Sequence, residues 1–252
     1  LPPGAGLIQQ NSIVQLLRTF GYSTVAFATG FAATELEYAD VYLAPRFAIN
    51  DFDEQLIEMS VLRLFDRGLA FVLRRNELAN GDRISNALHR ARVLTTIEWL
   101  ENPTVELNEP AFVFAHIVCP HVPFVFDFDG KPMNHPELDW ERQDVFSDRY
   151  ARQVRFIDDR LENMLASIVS RDPEAIIVVQ GDHGARSLQT QVRGQTPEGR
   201  ADYELDWLGI LNAVRMPGVD VNSVPANELA PVNIFRFVMN NYLGQHFEYL
   251  PY

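Results

Sequence analysis

Apolar and polar positions change period several times along the chain, and each change predicts an element. "NSIVQLLRTFGY" places Ile13, Leu16, Leu17 and Phe20 on one helical face, with Asn11 or Ser12 as cap and Gly21 as stop. "STVAFATG" then reads as a short buried strand. Residues 31–53 hold aromatics and acids without a steady period, which predicts a loop. From about 54 to 79, "EQLIEMSVLRLFDRGLAFVLRR" carries apolar residues on most faces, as a helix packed on both sides would, with Gly68 as a break. A further helix is predicted across "ISNALHRARVLTTIEWLE", closed by Pro103.

"AFVFAHIVCP" (111–120) reads as a second buried strand ended by a proline. The Pro-, Gly-, Asp- and aromatic-rich "HVPFVFDFDGKPMNHPELDW" suits a long ordered loop at a functional edge. In "YARQVRFIDDRLENMLASIVS", Val154, Ile157, Leu161, Leu165 and Ile168 recur at helical spacing, and the charged positions between them face solvent. The strand "AIIVVQ" follows, then "GDHG" and a polar, Gly/Pro-punctuated stretch (186–205) that predicts a mobile loop. "WLGILNAVRMPG" reads as a fourth strand and turn, and "ANELAPVNIFRFVMNNYLG" as a last helix between Pro231 and Gly244. Apolar strands alternating with amphipathic helices predict an α/β sandwich whose central sheet is mostly parallel and flanked by helices.

The 252 residues are 47% hydrophobic and 22% charged, enough for a core and against global disorder. A formal net charge of −13 argues against non-specific nucleic-acid binding and against anionic lipid surfaces. It leaves an anionic substrate open, because a metal reverses the field locally. The single cysteine, Cys119, excludes an internal disulfide and a Cys-based zinc cluster, and its apolar run predicts a buried structural thiol. The sequence contains neither a signal peptide nor a membrane span, but it opens "LPPGAGLIQQ" without Met and reads as a piece of something longer.

In a parallel sheet, ligands gather at the carboxyl ends of strands. One strand here ends in His116 and His121, another in Asp182 and His183. Asp and neutral His suit Zn, Mn or Mg, and the flanking glycines allow a tight turn. The same Asp equally suits a turn or helix cap, with His183 merely solvated. His116, inside its strand, reads as a satisfied core histidine, and His121, between prolines, is the better functional candidate. His89, His135 and His246 lack a partner pattern and read as surface or loop residues. The cluster "RNELANGDRISNALHRAR" contains acids and no aromatic interleaving, so it reads as a solvated helix face rather than a nucleic-acid surface.

Taken in order, "FVFAHIVCPHVPFVFD", "YARQVRFIDDRLENMLASIV" and "AIIVVQGDHG" resemble the sulfatase branch of the alkaline phosphatase superfamily. The likeness is greatest to bacterial membrane-anchored sulfatase-like hydrolases and phosphoglycerol transferases such as lipoteichoic acid synthases. It runs from "LLRTFGYSTVAFATG" to "NIFRFVMNNYLG". The resemblance implies that Asp182 and His183 are metal ligands and that His121, in the "PHxPF"-type segment, contacts a phosphate or sulfate oxygen. Arg186 could hold the anion or form a loop salt bridge. One divalent ion (Mn, Mg, Ca or Zn) would be the cofactor, and a sulfate or phosphate ester the substrate.

The family's acidic first-strand ligand and its Thr, Ser or modified Cys nucleophile have no match here. Cys119 lies on the wrong strand for that role. The resemblance therefore implies a single partial domain over 1–252, lacking its first strand and carrying no nucleophile. Such a piece would be soluble, bind metal weakly, be inert alone and dimerise through an uncovered sheet edge. The parent would be held at the cell membrane by amino-terminal helices, with this domain outside the cytoplasm. A non-catalytic α/β binding domain that retains the fold is the alternative. Two-metal phosphomutase chemistry ranks last, because no further Asp/His pair ends a strand.

Overall fold

The computed structural model describes residues 8–9, 11–31, 33–45, 84–105, 107, 110–133 and 142–251. The helix expected over 54–79, with its break at Gly68, and His135 lie outside the described residues. The chain is mixed α/β and forms two compact units, Leu1–Ser167 and Ile168–Tyr252.

In unit 1, α1 (Ser12–Thr19) starts at Asn11, whose side chain accepts from Ile13 N at 2.8 Å and Val14 N at 3.4 Å. It stops at Gly21, which takes the left-handed φ of 83° that a side chain resists. Strand β1 (Ser23–Phe27) lies between β2 (Val41–Leu43) and β3 (Ala111–Phe114), both parallel to it, with Val25 level with Val41 and Val113. Its Val25 and Ala26 are fully buried, as the apolar run of a central parallel strand requires. One core joins Val14 and Ala26 to Leu36, Phe112 and Phe114. Another joins Val93 and Ile97 of α2 (Ile84–Glu101) to Val125, Phe126 and Phe156, the last from α3 (Gln143–Arg171). The Phe126 and Phe156 rings stack with centroids 4.3 Å apart.

In unit 2, β4 (Ile177–Gln180) pairs with β5 (Asn212–Arg215). Between them run α4 (Leu188–Arg193) and α5 (Arg200–Leu208), and α6 (Ile234–Tyr242) follows. Met216, Ile234 and Phe237 form the core, with Ile176 and Val178 packed against them. Fully buried Asn233 accepts from Leu250 N and donates to Leu250 O and Asn227 O, tying the carboxyl-terminal segment to the start of α6.

Several expectations are corrected. The segment 31–53 contains β2, a three-residue strand too short to show a period. Residues 186–205, predicted to be a loop, contain α4 and the start of α5; Ser187 caps α4 through Thr190 N. The sheet is parallel over β1, β2 and β3, but β4 and β5 pair antiparallel in a sheet of their own. Strand β3 ends at Phe114, so His116 lies beyond the strand rather than inside it. The polar residues of α2 do not form a solvated face. Asn86, His89, Arg90 and Arg92 are all buried, because this helix is covered on several sides. Among the described residues, no helix is long and apolar enough to cross a membrane.

Candidate functional site

The segment that carries the unit 1 candidates begins where β3 ends. His116 Nδ1 lies 2.7 Å from the Thr34 hydroxyl, and Thr34 in turn contacts the Thr29 hydroxyl at 3.3 Å, just past β1. His121 is exposed, and its Nδ1 donates to the Val122 carbonyl at 2.6 Å. Gln153 of α3, with no exposed surface, holds this segment in place. Its Oε1 accepts from Val125 N at 2.7 Å and Phe126 N at 3.1 Å, while its Nε2 donates to the His121 carbonyl at 3.0 Å. Three backbone groups are thereby satisfied by one side chain.

Helix α2 brings further charge to the same edge. His89, expected at the surface, is 8% exposed. Burial pushes its pKa down to about 4, and the Arg92 guanidinium adds to that, as do His121 and Arg90. A hydrogen bond to the Val118 carbonyl opposes the shift, and the ring is neutral at pH 7. Arg92 lies against Gly30, where any Cβ would collide with the guanidinium; Gly30 also takes a left-handed φ of 79°. Beside it, buried Glu35 accepts from Thr29 N at 3.0 Å, the Thr29 hydroxyl at 3.1 Å, Gly30 N at 2.7 Å and the Tyr42 hydroxyl at 2.6 Å. Cys119 packs against the Val93–Phe126 core, and burial pushes its thiol far above the ordinary value, as a structural cysteine requires.

In unit 2, Asp182 and His183 follow β4 as expected. His183 Nδ1 lies 2.7 Å from the Gly184 carbonyl, which can only accept, so a proton sits on Nδ1. That Nε2 is 3.7 Å from Asp182 Oδ2. Two ligands of one tetrahedral ion, each about 2.1 Å from it, stand about 3.4 Å apart, so the pair fits a shared divalent cation with little movement. A metal-bound histidine ordinarily gives its other N–H to a carbonyl or carboxylate in this manner. Asp182 is the open side of the pair, its side chain 84% exposed against 21% for His183.

The turn is clamped from behind. Gly184 N donates to the Trp207 carbonyl at 3.0 Å, and a Cβ on Gly184 would collide with the Asp206 carbonyl. Asp206 Oδ2 accepts from Ser187 N at 2.7 Å and from the Thr190 hydroxyl. Arg186 takes φ 54° and lays its guanidinium over the Trp207 ring, 5.2 Å from the centroid. It is exposed, with that ring beneath its guanidinium.

Asp182 and His183 are thus brought together, and His116 and His121 lie on one segment of unit 1. The sequence reading passes over Gln153, Asp206 and Trp207, and it places His89 and Arg92 in solvent. Gln153 is a polar residue breaking the buried side of a long helix, the one signal that could have drawn notice. Among the described residues no group of three or more His, Cys, Asp and Glu converges as a metal site. No protein-family model matches the chain, nor does any curated protein or solved structure.

Proposed function

We propose that the chain is part of the catalytic domain of a metal-dependent sulfatase-like hydrolase or phosphotransferase acting on sulfate or phosphate esters. The observation that carries this reading is the Asp182–His183 pair, with Nδ1 committed to a carbonyl and Nε2 within 3.7 Å of the carboxylate. In this reading Asp182 and His183 hold one divalent cation, which polarises the ester and offsets charge developing on it. His121 contacts an oxygen of the anionic group, and Arg186, stacked on Trp207, offers a positive contact. The fold is then a sulfatase-like sandwich whose first strand and nucleophile come from sequence not contained in this chain. A membrane-anchored parent with this domain outside the cytoplasm, and association through a sheet edge, follow from the same reading.

Calorimetric titration with Mn²⁺ or Zn²⁺ tests it. Two protein ligands give weak but saturable binding, and Asp182→Ala abolishes it. Equal affinity in both proteins would instead favour a non-catalytic α/β binding domain. Turnover of a phosphodiester or aryl sulfate by the chain alone would contradict the assignment of the nucleophile to missing sequence.

A further inference from the structure

Helix α5 carries two apolar faces, where a surface helix needs only one. Tyr203 and Trp207 stack on its inner face with ring centroids 5.1 Å apart, and the Trp207 carbonyl accepts from Gly184 N. Ala201, Leu205 and Leu208 recur at helical spacing on another face. Leu205 is 75% exposed and Leu208 70%, and no residue of the helix is buried. Leu211, just past its end, is exposed as well. Single exposed leucines are ordinary, but two of them one turn apart make a stripe. A nine-residue helix is too short to persist by propensity alone, so packing decides its stability.

Charge narrows what covers the stripe. From Arg186 to Leu208 three arginines stand against four acids, whereas the whole chain carries −13. This stretch has no basic excess to hold anionic lipid or nucleic acid, so its occupant is a protein surface. The chain as a whole repels its own copies, but here the two signs nearly balance. Among the described residues, exposed Arg193, Glu198 and Asp202 form no ion pair, while Arg200 is engaged with Glu204 along the helix. A surface with a cation and acids left unpaired complements itself across a two-fold axis. Shape agrees. A two-fold beside Leu205 lays α5 antiparallel on its counterpart, with each Leu208 opposite the small Ala201 of the other copy.

We propose that the leucine face of α5 is an isologous contact through which two copies of this chain pair helix against helix. Leu205 and Leu208 fill its centre, and Arg193, Glu198 and Asp202 form its rim. This face is not the sheet edge invoked above, and its pairing needs neither metal nor substrate. The two claims are therefore tested separately.

The test is sedimentation velocity of the metal-free 252-residue chain from micromolar to submillimolar concentration. The wild type passes from monomer to dimer across that range. Leu205→Glu combined with Leu208→Glu weakens dimerisation at least about a hundredfold, since each leucine is lost twice at a two-fold contact. Arg193→Glu leaves an all-acidic rim and weakens it about threefold or more. Hydrogen exchange of the wild type, at both ends of the range, shows added protection of the α5 amides in the concentrated sample. A wild type that stays monomeric, or undiminished pairing by Arg193→Glu, would overturn the proposal. So would a dimer that survives both glutamates, which would assign association to a sheet edge instead. The exchange measurement uses the wild-type chain, so α5 amides indifferent to dimerisation overturn it even if a substituted protein fails to fold.

Discussion

His89 and Arg92 in unit 1 are buried, and their setting is assembled from β1, the segment after β3 and α2, stretches far apart in sequence. Asp182 and His183 in unit 2 sit on a partly open turn, held by hydrogen bonds from the end of the next helix but one. The first arrangement is fixed by tertiary packing and carries a desolvation cost in the protein alone. The second is fixed by local backbone and leaves its carboxylate in water. A buried edge is held by many packed neighbours, whereas a partly exposed turn is held by its local backbone hydrogen bonds. Mutations should therefore damage the unit 1 edge through stability and the unit 2 turn through geometry.

The largest effect is expected from Gln153→Leu. It takes Gln153 away from the buried Val125 and Phe126 N–H groups and from the part-buried His121 carbonyl, at about 1–3 kcal/mol for each of the two buried groups, or about 2–6 kcal/mol in all. Urea unfolding measures it, and a loss below about 1 kcal/mol would break the claim that tertiary contacts hold this edge. The pH dependence of His89 comes next. Its folded pKa of about 4 lies below the ordinary 6.5, so the unfolded chain binds the proton first as pH falls. Stability is complete above pH 6.5 and is lost on descending toward pH 4, by roughly 3 kcal/mol. Denaturation at pH 7 and pH 4.5 should show that slope, and His89→Phe should remove it.

Gly184→Ala probes the other side of the comparison. The added methyl meets the Asp206 carbonyl, and the clash should cost about 2 kcal/mol while spoiling the Asp182–His183 geometry. Manganese affinity should fall with it, yet the pH slope of His89 should be untouched. If metal binding survives, the clamp from α5 is not what shapes the turn.

The same contrast explains how far the residues alone could be read. Asp182 and His183 were visible because a local turn keeps its residues adjacent, and the sequence prints them side by side. The helix over 84–101 was legible in extent, but its polar residues were assigned to water. Whether Arg92 is solvated depends on Gly30, sixty positions away, whose missing Cβ makes room for it. Strand β2 has three residues, too few for a period, and takes its place only because β1 offers a parallel edge. The antiparallel pairing of β4 with β5 was likewise hidden, since two short helices separate strands that the alternation of elements suggested were parallel.

The smallest expected effect calibrates the others. Asn11 caps α1 far from either candidate site in the chain, accepting from Ile13 N and Val14 N. Asn11→Ala removes that acceptor and should cost about 1 kcal/mol, whereas Asn11→Gly should cost only a few tenths, because glycine tolerates the cap conformation. Neither change alters the charge of His89 or the geometry of the Asp182–His183 turn. Both variants should therefore bind manganese as the wild type does and keep the pH slope of His89, with only the urea midpoint displaced. If a cap loss of this size weakened manganese binding, that binding would be following global stability. The loss from Gly184→Ala could then no longer be assigned to the clash that its added methyl creates.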